Sequence, residues 1–425
     1  MDSRAGHHAL DLWIHSASEL ICVATPGETP VVGSAMNSLK IMPGGSVGII
    51  AGKIACVGDG AIPPESCSVT PETRVIDASG CVVTPGLIDC HTHTVFAGTR
   101  ADEFVRKIHG VSYMEIARTG GGIRRTVRET TAAPFRQLVD DAVDRLQAAM
   151  RMGITTVEIK SGYGLDEEQE LRILRAARAA GERSPVRVVT TLLAAHEVPE
   201  YGSREEYLER IVAVIIPRAA AEGLADFCDV FCEQGVYSVE ESRRVLAAAR
   251  EYGLGLKIHA EQLTNTGGTV LAGELEACSA DHLDYIDEQG IRALAEGKVI
   301  PVLLPGCTFF MGLKHYPPAR RLLDADLPVA LATDFNPGSC MTQNLPLIMT
   351  IACTQLRMTP SETLAATTVN AAAALDLDRE IGLVAPGYQA DLVMWDAPCF
   401  DHVLYHFGAN HARKVIIDGE ILVDN

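Results

Sequence analysis

The stretch Pro85-Gly-Leu-Ile-Asp-Cys-His91-Thr-His93 decides the predicted fold, because it is an apolar strand that ends in two histidines. Side chains alternate between the two faces of a strand, so His91 and His93 point in the same direction. Such a pair alone is weak evidence for a metal site, since histidines also occur in cores and on surfaces. The pair therefore requires further ligands from elsewhere in the chain.

Polar side chains follow several other apolar runs in the same way. These runs alternate with helical stretches rich in Ala, Glu and Arg, a pattern that indicates βαβ units around a parallel sheet. The polar residues at the carboxyl sides of the runs are His91, Tyr163, His196, His259, His282 and Asp334. A (β/α)8 barrel brings these positions to one face, whereas an open sheet spreads them along an edge. We therefore predict an α/β protein with a TIM-type barrel.

Seven barrel strands can be placed from their apolar runs. They are predicted at 81–89, 155–160, 186–193, 254–258, 278–280, 299–304 and 328–332. The eighth strand is expected near 118–124, where the pattern is obscure. Residues 226–232 also have the composition of a buried strand but are not counted in this set.

The two ends of the chain share a different pattern. Residues 9–85 consist of short apolar runs separated by Gly, Pro and Ser turns, and similar runs return at 390–395 and 414–423, the latter as a hairpin around Asp418-Gly419. We therefore expect both ends to fold into one small sheet domain. The predicted small domain is a β-sandwich composed of residues 1–84 and 372–425. The barrel is predicted at 85–371.

The composition is that of a globular chain with a strong acidic charge. Of 425 residues, 47% are hydrophobic and 21% are charged, and 36 Lys and Arg against 55 Asp and Glu give a net charge of −19. This field repels nucleic acid and anionic lipid, so we predict neither as a partner, and an anionic small-molecule substrate requires a local cation. The twelve cysteines include no CxxC pair, and neither a signal segment nor an apolar run of membrane-spanning length is found, so a cytoplasmic location is expected.

Two further strand ends supply candidate metal ligands. His259 ends the predicted strand at 254–258, and Asp334 follows the one at 328–332. Together with His91 and His93 they give three imidazoles and one carboxylate, a set that suits zinc or iron and leaves a position open for water. Asp334 alone also fits a helix cap, but four strand-end coincidences favour a metal site.

Several longer strings carry a family resemblance. They are His91-Thr-His-Thr-Val-Phe-Ala-Gly-Thr-Arg100, Tyr113-Met-Glu-Ile, Gly120-Gly-Gly-Ile123, Glu158-Ile-Lys-Ser-Gly-Tyr-Gly164, Ala195-His196, Ser279-Ala-Asp-His282, Leu304-Pro-Gly306 and Ala332-Thr-Asp-Phe-Asn-Pro-Gly-Ser339. The order of the HxH pair, two further histidines and Asp334 in a barrel whose chain ends fold together resembles the amidohydrolase superfamily, and the longer strings point to one group inside it. Within it, the chain is similar to the enzymes that open 4-imidazolone-5-propanoate to N-formimidoyl-L-glutamate in histidine degradation.

The resemblance implies a hydrolase that uses a metal-activated water. One divalent metal ion per chain, Zn2+ or iron as Fe2+ or Fe3+, is expected at His91, His93, His259 and Asp334. Asp334 is also expected to act as general base and then general acid, and His282 to polarise the carbonyl or stabilise the oxyanion. A homodimer is the expected assembly for such an enzyme.

The resemblance also implies a set of substrate-binding residues. Arg100 is expected to bind the propanoate carboxylate, which a guanidinium fork suits better than an ammonium does. The positions expected to line the ring or the product are Tyr163, His196, Asn336, Gly338 and Ser339. Taken alone, Tyr163 fits a packed loop aromatic nearly as well, and His196 fits a satisfied core histidine better.

One position departs from the pattern of related enzymes, which often have Glu three residues after the third metal histidine. Here that position is Gln262, which cannot transfer a proton. We therefore expect Gln262 to hydrogen-bond the ring or the water and Asp334 to carry the proton. Glu261 is offset by one residue, and on an extended strand it faces the other way.

Two rival functions remain open from the sequence. One is a binuclear hydrolase in which a carboxylated Lys160 bridges two ions, although Lys160 lies one strand earlier than such a bridge normally does. The other is a catalytically silent scaffold that uses the barrel for protein association. The presence of all four candidate ligands argues against the scaffold.

Overall fold

The structure is a computed structural model and describes residues 8–111, 115, 119–199 and 202–425. Within these residues, eight parallel strands follow one another in chain order around a barrel. They are Leu87–Asp89, Ile154–Lys160, Arg187–Ala195, Phe227–Cys232, Gly255–Ala260, Ser279–His282, Ile300–Leu303 and Ala330–Leu331. The chain just after the first strand pairs with the chain just after the last, through a parallel bridge between Thr92 and Phe335. This pairing closes the sheet and confirms the predicted barrel.

The eighth strand was predicted in the wrong place. Phe227–Cys232 occupies the fourth position in the barrel, between Arg187–Ala195 and Gly255–Ala260. Of the segment 118–124, Arg118 lies outside the described residues, as does most of the string Tyr113-Met-Glu-Ile, and a helix begins at Ile123. The segment 226–232 contains Asp229. A buried aspartate is tolerated in a barrel strand here because Lys160 and His259 lie beside it in the folded chain.

The predicted first strand at 81–89 is divided between two sheets. Val82–Pro85 pairs with Leu392–Trp395 in the small domain, and Leu87–Asp89 begins the barrel. Gly86 lies between them, where a Cβ would overlap the side chain of Thr155, so the close approach of the two segments requires glycine. The Pro-Gly-Leu-Ile-Asp string therefore also joins the two parts of the fold.

Helices cover the outside of the barrel and connect its strands. They begin with capping side chains in several cases: Ser203, Ser238 and Thr359 form capping boxes, and Asp166 accepts a hydrogen bond from the backbone of Gln169. The described helices are Ala101–Ile108, Ile123–Ala132, Phe135–Arg151, Glu167–Arg183, Arg204–Arg210 continuing through the π turn Ile211–Ile215 into Ile216–Ala221, Val239–Glu251, Gly268–Glu274, Glu288–Gly297, Pro305–Phe310, Ala319–Asp324, Leu345–Gln355, Pro360–Ala366, Val369–Ala373 and Phe400–Tyr405, with a 3-10 turn at Gly33–Asn37.

The two ends of the chain form one β domain, as predicted. A six-stranded sheet has the order Glu420–Asp424, Ala412–Ile417, Leu392–Trp395, Val82–Pro85, Glu19–Val23 and Lys40–Met42. A four-stranded sheet has the order Lys53–Asp59, Gly45–Ile50, Leu12–His15 and Arg74–Asp77, and His8–Ala9 pairs separately with Cys67–Ser68. The exact domain limits, 84/85 and 371/372, stay a prediction.

Among the described helices, none has the length and apolarity that crossing a bilayer requires.

Candidate metal centre and active site

Four predicted metal ligands meet at the carboxyl ends of the barrel strands. Asp334 Oδ1 lies 3.7 Å from His91 Nε2 and 3.6 Å from His93 Nε2. The ring centroid of His259 lies 4.5 Å from that of His91 and 5.8 Å from that of His93. All four side chains are buried. Residues up to 243 positions apart in the chain therefore converge in one small volume, as barrel geometry requires.

The nitrogens of these histidines fit a cation. Among the described residues, His91 Nε2 and both ring nitrogens of His259 are buried and have no hydrogen-bond partner, and Nδ1 of His93 has none either, while Nε2 of His93 is the nitrogen that lies near Asp334. Burial is the main cause that holds the pKa of His91 and of His93 well below the usual range, so both rings are neutral and retain a free lone pair. Neutral imidazoles and a carboxylate are the donors that zinc and iron take, and a bound cation would satisfy atoms that are otherwise costly to bury.

Two aspartates that the sequence analysis missed orient these rings. Asp281 Oδ2 lies 2.6 Å from His91 Nδ1, so this nitrogen donates and Nε2 keeps its lone pair. Asp229 Oδ2 lies 3.0 Å from His259 Nδ1. The two atoms are in contact, but their orientation does not satisfy the criteria for a hydrogen bond. Carboxylates behind metal-binding histidines commonly fix their tautomer. Asp281 stands in a string quoted above, but no sequence signal assigns it to His91.

A buried lysine holds both aspartates. Lys160 Nζ lies 2.8 Å from Glu158 Oε1, 2.8 Å from Asp229 Oδ2 and 3.7 Å from Asp281 Oδ2, and all four side chains are fully buried. Burial alone would lower the pKa of Lys160, but the three carboxylates together raise it above its usual value. One positive charge against three negative ones leaves this group with excess negative charge. A cation bound at the adjoining histidines would offset that excess.

Asp334 lies on a tightly held loop. Its φ is +55°, in the left-handed region, a conformation that costs a residue of this type roughly 1–3 kcal/mol and often marks a functional site. Asn336 Nδ2 donates to the Asp334 carbonyl at 2.7 Å and to Ser339 Oγ at 2.8 Å, while Asn336 Oδ1 accepts from the backbone N–H groups of Gly338 and Ser339. Mainly because it is buried, the pKa of Asp334 rises to about 6. The polar atoms of Asn336 are thus used to order the loop.

His282 lies beside the proposed ligands. Its ring centroid is 5.2 Å from that of His259, and its donor atom lies near those of Asp334 and Cys307. Gln262 Nε2 donates to Cys307 Sγ at 3.6 Å, so Gln262 contacts a residue whose ligand atom lies near those of His282 and Asp334. Glu261 faces away, as expected, and accepts from the first backbone N–H groups of the helix Gly268–Glu274. Cys307, which lies just after Leu304-Pro-Gly306, was not among the predicted site residues.

Tyr163 and His196 pack beside the proposed metal ligands. Tyr163 is buried, and its ring centroid lies 5.7 Å from those of both His93 and His196. His196 stacks on His93 at 4.9 Å and places Nδ1 3.2 Å from the carbonyl of Gly162. A carbonyl only accepts, so Nδ1 carries the proton and Nε2 is left as an acceptor. Burial, followed by the effect of His259, lowers the pKa of His196 to about 3, which keeps this ring neutral.

Arg100 lies in a small neighbouring cavity of about 160 Å3, which Gly338 also lines. Its Nε donates to the buried Glu103 at 2.8 Å, which fixes the guanidinium. A Cβ at Gly338 would overlap Nη1 of Arg100, so the guanidinium packs directly on this glycine. Lys107, which sequence analysis missed, lines the same cavity and donates to the Gly338 carbonyl at 3.2 Å. Two positively charged side chains, Arg100 and Lys107, therefore lie beside the loop that carries Asp334.

Comparison with known proteins agrees with this geometry. The Amidohydrolase family profile matches residues 114–423. An imidazolonepropionase of Alkaliphilus oremlandii is 43% identical over 98% of this chain and 98% of its own length. An imidazolonepropionase of Geobacillus thermodenitrificans is 45% identical over 97% of this chain and 98% of its own.

Solved structures share the fold at lower identity. An adenosine deaminase from Xanthomonas campestris, determined with bound zinc, has a TM-score of 0.73 at 17% identity and covers 99% of this chain and 94% of its own. A 5-methylcytosine deaminase from Klebsiella pneumoniae has a TM-score of 0.74 at 16% identity, with 97% of each chain covered. At such identity these structures support the architecture alone. From its near full-length relatives and its profile match, the chain belongs to the amidohydrolase family and, within it, to the group of the imidazolonepropionases.

Proposed function

We propose that this chain hydrolyses the ring amide of 4-imidazolone-5-propanoate and releases N-formimidoyl-L-glutamate. The observation that carries the proposal is the convergence of the buried imidazoles of His91, His93 and His259 with Asp334, in a chain that groups with the imidazolonepropionases. The direct test is the loss of ultraviolet absorbance of the imidazolone upon addition of purified protein. Absence of turnover by fully metal-loaded protein would refute the assignment.

The proposed ligands of one divalent ion are His91, His93, His259 and Asp334. When bound, such an ion lowers the pKa of a water molecule and polarises the amide carbonyl. Both zinc and iron suit this ligand set, and elemental analysis of the purified protein distinguishes them. Anomalous diffraction from crystals of the metal-loaded protein counts the ions at the barrel mouth, and so separates the proposal from the binuclear alternative, which requires two ions there. Lys160 already pairs with carboxylates, and carboxylation of its amine would place negative charge against them.

We assign the proton transfers to Asp334. Its carboxylate accepts a proton from the attacking water and delivers it to the ring nitrogen as the amide bond breaks, a general-base and then general-acid sequence. His282 is proposed to stabilise the negative charge that develops on the carbonyl oxygen. Gln262 is proposed to hold the ring by hydrogen bonding, together with Tyr163 and His196.

The propanoate arm is assigned to the cavity of Arg100. A guanidinium that is fixed by Glu103 offers its remaining N–H donors in a planar fork, which matches a carboxylate. Lys107 adds a second positive charge. Arg100 and Lys107 outnumber the one carboxylate of this cavity, Glu103, so the local charge favours an anionic substrate even in a chain with a net charge of −19.

We expect Arg100→Ala to raise KM roughly 10- to 100-fold while the bound metal is retained, because a charged hydrogen bond contributes about 1.5–3 kcal/mol. Steady-state kinetics and metal analysis of the same preparation give the two readouts. Arg136→Ala is the matched control, since it removes the same charge from a side chain that is 92% exposed. An unchanged KM in the Arg100 variant would remove its assigned role.

We expect Gly338→Ala to raise KM in the same direction but by less, about 3- to 30-fold, since it displaces Arg100 without removing its charge. The added methyl group would overlap Nη1 of Arg100, and the Gly338 backbone has no left-handed φ that alanine would disfavour. Kinetics of Arg100→Ala with and without Gly338→Ala check the mechanism. The second substitution should add little to the first, and additive effects would contradict the proposed contact.

For assembly and location we propose a homodimer in the cytoplasm. Two-fold dimers are the most common soluble assemblies, and sedimentation of the purified chain measures the state. All twelve cysteines are free, which agrees with a reducing compartment.

A further inference from the structure

A second group of imidazoles lies outside the barrel site. The group consists of His402, His406 and His411. Each offers one ring nitrogen, and these three nitrogens lie within 4.8 Å of one another. The ring centroids are 6.0 Å apart for His402 and His406, 5.7 Å for His402 and His411, and 5.0 Å for His406 and His411. These residues have no part in the proposed hydrolysis.

The local structure explains why the three rings meet. His402 belongs to the helix Phe400–Tyr405, and the backbone N–H of His406 donates to the His402 carbonyl at 3.0 Å. This bond extends the helical turn, so that the two histidines, four positions apart, share one face. His411 immediately precedes the strand Ala412–Ile417, whose pairing with Leu392–Trp395 holds it against that helix end.

His411 presents a free lone pair. Its Nδ1 lies 3.2 Å from the carbonyl of Asp396, and because a carbonyl only accepts, Nδ1 carries the proton. The other nitrogen, Nε2, is buried and has no hydrogen-bond partner among the described residues. A buried acceptor without a partner requires an explanation, and a backbone carbonyl behind the opposite nitrogen is the arrangement found behind metal-binding histidines.

We propose that His402, His406 and His411 form a second metal site, which binds one Zn2+ ion with solvent as the remaining ligand. Ligand nitrogens in a tetrahedral zinc site lie roughly 3.4 Å apart, so the three imidazoles need to approach by at most about 1.5 Å. His406 is exposed, and so are its neighbours Tyr405 and Phe407, which gives the ion a path from solvent. The site joins a helix end to the strand that follows it, and zinc therefore cross-links the C-terminal part of the β domain.

Metal content tests the site directly. Enzyme already loaded at the barrel site is equilibrated with roughly micromolar free zinc, and the bound ions are counted. The wild type is expected to hold one more zinc per chain than His402→Gln/His406→Gln, and zinc is expected to raise the Tm of the wild type but not of this variant. Ring opening should be unchanged in the variant, because the barrel ligands are intact. His8→Gln is the matched control, as His8 is an exposed histidine of the same β domain that belongs to no such cluster among the described residues.

Equal zinc content in the wild type and the double variant would overturn the proposal, and so would a second equivalent that binds only at millimolar zinc. Should the double variant misfold, His406→Gln alone gives the same comparison, since this side chain is exposed. Titration of the holoenzyme with Co2+ adds a spectroscopic readout. A visible absorption band that saturates at one added equivalent in the wild type and is lost in His406→Gln supports the site, and an identical band in both refutes it.

Discussion

The His259→Ala variant is expected to purify without its barrel metal ion and to lose ring opening by at least about a thousandfold. His259 Nε2 is buried and has no hydrogen-bond partner among the described residues, and its removal leaves too few donors to hold a cation in place. Asp229, which lies 3.0 Å from His259 Nδ1, would also lose a neighbour. Elemental analysis and the absorbance assay measure the two losses on one preparation.

His282→Asn is the matched comparison for that variant. His282 is a buried histidine of the same cluster, but its proposed role is to stabilise charge on the substrate. We expect it to retain the ion and to lose about a hundredfold in kcat, the usual effect of deleting one donor of this kind. Full metal content in His259→Ala, or loss of metal in His282→Asn, would show that the ligand set is assigned incorrectly.

Lys160→Met is expected to destabilise the protein by about 3–5 kcal/mol, because it leaves buried carboxylates without their positive partner. Glu158 and Asp229 each lie 2.8 Å from Lys160 Nζ, and Asp281 lies at 3.7 Å. The histidines that Asp229 and Asp281 hold would lose their orientation, so we also expect metal affinity to fall about 10- to 100-fold. Urea unfolding at fixed metal concentration, followed by a metal titration, measures both effects.

Lys257→Met is the matched control for the lysine. Lys257 is also fully buried in a barrel strand, but its Nζ donates to neutral acceptors, the carbonyl of Ala374 at 2.8 Å and Ser279 Oγ at 3.1 Å. Its loss is expected to cost about 1–3 kcal/mol and to leave metal affinity unchanged. Equal effects of the two substitutions would mean that the ion pairs of Lys160 have no special role in the site.

Much of the fold could be predicted because its signals are local. Alternation of apolar runs with helical stretches identified seven strands, and the turn-rich pattern at both ends identified the composite β domain. Phe227–Cys232 has the composition of a buried strand but was not counted in the barrel, and Asp229 interrupts its apolar run. A buried aspartate is acceptable there only beside Lys160 and His259, which the sequence does not place next to it.

In the candidate site, too, some residues could be predicted from local signals and others depend on contacts between distant parts of the chain. The proposed metal ligands could be named because each follows a strand, and strand ends of a parallel barrel meet at one face. The residues that support them could not be named. Asp281 contacts His91 from 190 positions away, and Lys107 reaches Gly338 from 231 positions away.

The sequence by itself determined the barrel, the pairing of the chain ends and the chemical types of the proposed ligands, since periodicity along the chain and the donor atoms of each side chain are local properties. Only the tertiary structure decided which carboxylate orients which imidazole, how one lysine balances three acids, and that three histidines near the C-terminus meet. These features depend on distances across space, which closure of the sheet and packing of its flanking elements set, and no spacing along the chain encodes them.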